Sequence, residues 1–351
     1  MSTLILPCAG RSSRFPNSRP KWSLTHPCGE LMLIESISGL ELNNYSRVVL
    51  IFVKEDLETF GLRNGIVKSL ESISDIESFD IVELDFRTSS QSETVAEGIK
   101  SLNIVGDILV KDCDGYFRTD FDKGNYVCVS SLKSVGNINA SSKSYVDVDT
   151  NGFINTIVEK DVISNSFCCG GYSFSDAKKF VDTFERLKQI SKEEIYVSHI
   201  IYQQILDGET FKIKLVSQFK DWGTIKEWNE YKKQYKTIFL DIDGVLVENS
   251  GEYIGKLWGT TESLNNNKNY INDLYNTGKV RIILTTSRKS KYKLETIKQL
   301  KDLDIRYHQI IFDLPHCQRI LVNDFSQTNS YPTAKAINIP RDSDNIEHYM
   351  Q

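Results

Sequence analysis

Two apolar runs of the same design constrain this chain most. Residues 3–10 read TLILPCAG and residues 237–244 read TIFLDIDG. Each is strand-length, has no polar face, and stops abruptly at small or acidic residues. A run of that kind needs cover on both sides, as in a sheet with helices packed on either face. In open α/β sheets the carboxyl ends of such strands carry the ligand sites. With 351 residues the chain is long enough for two such units, read here as 1–234 and 235–351.

Between the two runs, strands are predicted at 47–53, 80–84, 107–111, 125–130, 153–158, 169–174 and 211–217, and helices at 30–40, 54–62, 92–101, 175–188 and 194–206. This alternation predicts a mainly parallel, doubly wound sheet. The segment 224–236 spaces Ile225, Trp228 and Tyr231 along one helical face and closes the first unit. The second unit restarts the rhythm with helices near 266–277 and 290–302 and strands at 279–285, 308–312 and 319–323.

Composition narrows the function classes. The net charge of −5, with basic residues spread out, excludes nucleic acid as a bulk partner. No run approaches the length of a membrane span, and the N-terminus lacks a signal-peptide pattern, so a cytoplasmic location is expected. Seven cysteines without a C-x-x-C pair read as free thiols rather than disulfides or zinc ligands.

The loop after the first run is built for phosphate. Pro7, Ala9, Gly10, Ser12 and Ser13 are small or compact enough for backbone N–H groups to approach a triphosphate. Arg14 offers a bidentate grip on phosphate oxygens and Lys21 a mobile point charge. Further along, Ser89-Ser90-Gln91-Ser92-Glu93-Thr94 opens a helix, ILVKDCD carries Asp112 and Asp114 after a strand, and Val158-Glu159-Lys160, Gly170-Gly171-Tyr172-Ser173-Phe174 and Asp221-Trp222-Gly223-Thr224 follow in order.

Together these segments resemble the sugar-phosphate nucleotidylyltransferases, whose G-x-G-x-R loop precedes P-K; Pro20-Lys21 stands here, and Ser12 replaces the second glycine. The resemblance covers about residues 3–230 and implies a Rossmann-like, GT-A-like fold. It implies that Gln91, Ser92 and Thr94 meet base and ribose, that Asp114 and Asp221 hold Mg²⁺ with Asp112 beside or behind them, and that Glu159, Lys160 and Gly171 receive the acceptor phosphate. The NTP could carry cytosine, uracil or guanine, with CTP favoured, and the acceptor is a sugar or polyol phosphate for surface-polysaccharide precursors. A metal-dependent glycosyltransferase of similar fold is the competing reading; the glycine-containing loop with Pro20-Lys21 opposes it.

The second run ends in Asp241-Ile242-Asp243-Gly244, which resembles motif one of haloacid-dehalogenase (HAD) phosphatases. The resemblance implies an aspartyl-phosphate on Asp241, acid–base work by Asp243 and a second Mg²⁺ held by Asp241, Asp243 and Asp324. Thr286, with Thr285 as rival, would hold a phosphoryl oxygen, and Arg319, with Lys291 and Lys293 as alternatives, would supply the positive charge. Asn323 stands where relatives carry another aspartate. A short insertion after Gly244 leaves room for little or no cap. The reading is a bifunctional transferase–phosphatase, compatible with a homo-oligomer. The alternatives are a transferase with a non-catalytic HAD domain and a nucleotide-sensing protein.

Overall fold

The computed structural model describes residues 2–16, 18–134, 139–253, 256–324 and 333–350. The chain divides into two compact units, Met1–Trp228 and Asn229–Gln351. Among the described residues no helix is long and apolar enough to cross a membrane.

The first unit contains β1 (Ser2–Pro7), α1 (Met32–Ile37), β2 (Arg47–Val53), α2 (Lys54–Phe60), α3 (Arg63–Glu71), β3 (Phe79–Leu84), α4 (Gln91–Leu102), β4 (Asp107–Lys111) and β5 (Gly115–Arg118). It continues with β6 (Tyr126–Ser131), β7 (Ser144–Val148), β8 (Ile154–Glu159), β9 (Ser166–Phe174), α5 (Ala177–Ile190), α6 (Val197–Leu206), β10 (Lys212–Leu215) and β11 (Ser217–Asp221). Helix α7 (Ile225–Lys232) carries the chain across the division.

The main sheet runs β10-β6-β9-β4-β1-β2-β3, with β7 and β8 attached beside β9. Along β1 the side chains alternate between two cores. Leu4 and Leu6 join one cluster with Leu50 and Phe52, while Ile5 joins the other with Val49 and Ile51. That is why the run has no polar face: each side chain of this size buried contributes about 1.5–3 kcal/mol on whichever side it lies.

The sheet is less uniformly parallel than expected. Strands β1, β2, β3 and β4 are mutually parallel and β10 is parallel to β6, but β9 runs antiparallel to both β4 and β6. The stretch expected as one strand at 211–217 divides, because β10 stays in the main sheet whereas β11 leaves to pair antiparallel with β5.

The second unit holds β12 (Lys236–Asp241), α8 (Asn265–Asn276), β13 (Val280–Thr285), α9 (Lys293–Asp302), β14 (Gln309–Ile311) and α10 (Ile346–Met350). Its parallel sheet runs β12-β13-β14 over a core that includes Ile242, Leu246, Ile271, Ile282, Leu284 and Leu300. The expected strand at 319–323 does not form. Ile320, Leu321 and Val322 are 78, 57 and 87 % exposed, so this apolar run finds no sheet edge to bury it.

Candidate functional site

In the first unit the carboxyl ends of the central strands open on a cleft of about 820 Å³. Pro7, Gly10, Ser12, Ser13, Arg14 and Lys21 line one part of it. The loop is held by its own atoms. Ser12 has φ +48°, a left-handed conformation in which glycine is the unstrained choice, which accounts physically for glycine in the resembling motif. Its Oγ compensates by accepting the Lys21 N–H at 3.1 Å, and its carbonyl accepts from the Phe15 N–H at 2.8 Å. The serine thereby ties the phosphate-type loop to Pro20-Lys21.

Two acids meet across the cleft because of strand register. β11 pairs Asp221 with Gly115 of β5, next to Asp114, and the Trp222 N–H donates to the Asp114 carbonyl at 2.9 Å. A Cβ added to Gly223 would lie 3.1 Å from Asp221 Oδ1, 3.5 Å from Asp114 Oδ2 and 3.6 Å from Arg14 Nη1. Two carboxylates and a guanidinium therefore gather around Gly223.

Lysines neutralise both acids. Lys21 pairs with Asp114, and Lys143, a residue the motifs did not suggest, pairs with Asp221. Burial would push the Asp114 carboxyl up, but Lys21 and Arg14 outweigh it and hold the group well below the usual carboxylate range. Burial likewise opposes charge on Lys21, and Asp114 more than restores it. The donor chemistry suits a magnesium-class ion, since carboxylates from two strand ends lying near one glycine are the oxygen ligands such an ion takes from protein while keeping water on its other positions.

Asp112 sits behind this pair. Its N–H donates to the Gly170 carbonyl at 2.8 Å and its carboxylate accepts from Gln91 Nε2, so Gln91 reaches an acid of the strand loop. Burial and the neighbouring Asp114 push the Asp112 carboxyl up. Lys111, fully buried, donates to the carbonyls of Asp112 and Gly115 at 2.6 and 2.7 Å and fixes the curve of the D-C-D loop.

The N-terminus of α4 also faces the cleft, through Ser89, Ser90, Gln91 and Thr94. Ser90 caps it by accepting the Glu93 N–H at 3.1 Å, while Glu93 accepts from the Ser89 N–H at 2.6 Å and from Lys188. A capped helix start offers partial positive charge to an anion in front of it.

On the opposite wall, Lys160 donates to the Tyr196 hydroxyl at 2.6 Å, and Glu159 accepts from Ser144 and Ser198. The Lys160 N–H donates to the Lys143 carbonyl at 2.9 Å, which connects this wall to the Asp221 pair. Three of the expected contact residues lie beneath the cleft rather than on it. Ala9 is fully buried, Ser92 donates to the Ile195 carbonyl to bolt α4 in place, and Gly171 packs against Phe117 and Cys128. Of the Gly170-Gly171 pair it is Gly170, at φ +79°, that lines the cleft.

The second unit assembles part of its expected site. Asp241 ends β12 opposite Thr285 of β13, and Gly244 has φ +79°. Arg319 Nη2 lies 3.4 Å from Asp241 Oδ1. Burial pushes the Asp241 carboxyl up against the lowering effect of Arg319. Asp243 is clamped by Arg288, which is fully buried and reaches both carboxylate oxygens at 2.8 and 2.9 Å. Sequence reading passed over Arg288, although it closes the same TTSR segment.

The Thr286 hydroxyl accepts the Arg288 N–H at 3.0 Å, whereas Lys291 pairs with Glu252. Asp324 is exposed, and its carbonyl accepts from Thr333 at 3.2 Å. The last two residues of the 320–326 segment lie outside the described residues.

No protein-family model matches the sequence, and no curated protein matches it. Solved structures do share its shape. A nucleoside-diphosphate-sugar pyrophosphorylase from Vibrio cholerae RC9 superposes with a TM-score of 0.54 at 20 % identity, covering 65 % of this chain and 98 % of its own. UDP-glucose pyrophosphorylase complexed with UDP-glucose gives 0.51 at 15 %, covering 66 % and 97 %. The inositol-1-phosphate CTP transferase from T. maritima gives 0.50 at 15 %, covering 66 % and 93 %. The N-terminal part of the chain, about 65 % of its length, thus has a sugar nucleotidylyltransferase-like fold.

Proposed function

We propose that the first unit transfers a nucleotidyl group from an NTP to the phosphate of a sugar or polyol, releasing pyrophosphate. The observation that carries this reading is the gathering of Asp114, Asp221 and Arg14 around Gly223, with Lys21 paired to Asp114. An acceptor phosphate oxygen forms a bond to the α-phosphorus while the α–β bridging bond breaks, and pyrophosphate leaves with the electron pair. A phosphate monoester is already a nucleophile at neutral pH, so positioning and charge neutralisation supply the catalysis. Asp114 and Asp221 would hold Mg²⁺, which neutralises triphosphate charge when bound.

Arg14 and Lys21 grip the triphosphate, the start of α4 with Gln91 faces the nucleoside, and Lys160 receives the acceptor phosphate. CTP is the favoured nucleotide, and surface-polymer precursors are the favoured product class. The test offers each NTP with a library of sugar and polyol phosphates and reads pyrophosphate. Release that requires one NTP and one acceptor, and is lost in Asp114→Ala, supports the reading. Silence across the library refutes it.

For the second unit the proposal is a phosphate monoesterase of HAD type with Asp241 as nucleophile. The pairing of Asp241 with Arg319 at the mouth of β12 favours it, because a cation beside the attacking carboxylate is what a phosphate dianion needs. Inorganic phosphate release abolished by Asp241→Asn is the expected result. Phosphate release that survives Asp241→Asn would return the unit to a non-catalytic role.

A further inference from the structure

One loop of the first unit and the helix α1 that follows it bring three unlike donors together outside the cleft lining. His26, Cys28 and Glu35 each present one ligand atom, and the three atoms lie within 4.8 Å of one another. The turn that does this is closed by its own backbone. Gly29 donates to the His26 carbonyl at 2.8 Å, His26 donates to the Glu30 carbonyl at 2.7 Å, and Thr25 bridges Leu31. Gly29 sits at φ +103°, a value that favours glycine.

Within that turn His26 Nδ1 is 2.9 Å from Cys28 Sγ, and Sγ is 3.6 Å from Glu35 Oε2, which projects from the first turn of α1. The His26 ring is 3 % exposed and packs against Trp222 and Trp228, whereas Cys28 is open to solvent.

We propose that His26, Cys28 and Glu35 bind a zinc-class divalent ion through imidazole, thiolate and carboxylate, with water as the fourth ligand. A mixed nitrogen, sulfur and oxygen set of this kind suits zinc and does not suit Mg²⁺ or Ca²⁺, which take oxygen ligands. Ligands at about 2.0–2.3 Å from a tetrahedral ion stand roughly 3.5 Å apart. Two of the spacings, 2.9 and 3.6 Å, bracket that value and all three lie within 4.8 Å, and to bind the ion His26 Nδ1 must give up the Cys28 N–H that it accepts at 3.2 Å. Binding exchanges the Cys28 thiol proton for the metal, and the proton leaves to solvent.

The ion would brace the loop that carries Lys21 and Trp22. It would also fix the imidazole against Trp222, the residue between Asp221 and Gly223. This assigns Cys28 a role that the count and spacing of cysteines did not suggest, and it is independent of the transfer reaction.

The experiment titrates the full-length protein, stripped of metal with a chelator, with Zn(II) in excess Mg²⁺ and measures zinc retained per chain. Co(II) is then substituted and the near-ultraviolet thiolate-to-cobalt band is read. One zinc per chain and a thiolate band are expected. Cys28→Ser should remove the band and Glu35→Gln should keep it, each weakening zinc binding roughly tenfold or more, the scale at which even outer partners of a metal site act. Cys317→Ser, the other exposed cysteine, should change neither. Failure of the unsubstituted protein to retain zinc, a band that persists in Cys28→Ser, or loss of the band in Cys317→Ser would each overturn the assignment.

Discussion

Strands β1 and β12 are written in the same apolar code and end in very different surroundings. All six residues of β1 are buried, because β2 and β4 flank it and a core covers each face. β12 pairs only with β13; Leu240 is buried but Phe239 is 53 % exposed, and among the described residues its other edge has no partner. The acids differ in the same way. Asp114 and Asp221 come from strand ends more than a hundred residues apart and are brought together by the β5–β11 pairing, whereas Asp241 and Asp243 are neighbours by covalent geometry. A site assembled from distant strands is complete only when the β5–β11 pairing forms. A site written in one tripeptide needs only a single strand end to place its two acids.

The sharpest way to break this comparison is to remove one acid from each pair. Asp114→Asn should lower pyrophosphate release by about 10²–10³, the scale for losing one preorganised charge partner, while leaving phosphate release intact. Asp241→Asn should do the reverse. If both variants lose both activities, the two sites are not separate.

Next in size is Arg288→Met. Arg288 is fully buried, and Asp243 has a side chain 15 % exposed, so removing the cation strands a largely buried carboxylate. Breaking such a pair costs about 3–5 kcal/mol. Faster hydrogen exchange confined to β12 and β13 is the expected signature, and Arg288→Met with Asp243→Leu should recover much of the loss. An unchanged exchange pattern would show that neither the ion pair nor the bonds from Arg288 to Thr296 and Gln299, lost with it, hold the turn.

A smaller effect is expected for Gly223→Ala. The new Cβ would sit 3.1 Å from Asp221 Oδ1 in a backbone conformation that alanine tolerates, so the Asp221 carboxylate must shift by a few tenths of an ångström. Transfer activity should fall roughly tenfold, about 1.4 kcal/mol in the barrier, with unchanged thermal stability. Full activity in this variant would mean that the space between Asp114 and Asp221 is not used.

How much of this was legible follows from range. Strands such as β1, β2 and β4 show in the sequence because burial on both faces leaves an unbroken apolar run. β5, β7 and β11 have only four or five residues, and two of them end in charged side chains, so no periodicity marks them. Local pattern also carries no strand direction, hence the antiparallel β9. The run at 320–322 misled in the opposite sense, since apolar composition predicts a strand only where an edge accepts it. Lys143 and Arg288 escaped because each is defined by the acid it meets across the fold, while Asp114, Asp221 and Lys21 were visible as motifs before any geometry was known.

Ser12 gives the finest test, because it is where the loop departs from the resembling motif. At φ +48° a serine carries left-handed strain of about 1 kcal/mol that glycine would relieve. Its Oγ returns a hydrogen bond from the Lys21 N–H, of about 0.5–1.5 kcal/mol. The two terms are of the same size and opposite sign, so Ser12→Gly should leave stability within about 1 kcal/mol and transfer activity within roughly threefold. Ser12→Val keeps the strain, worsens it through β-branching and loses the bond, so it should be clearly worse on both measures. If the valine variant matches the glycine variant in melting temperature and in turnover, the Ser12 conformation does not matter. The loop would then be positioned from elsewhere, for instance by Arg87, which reaches the Gly10 carbonyl at 3.3 Å while paired with Asp56.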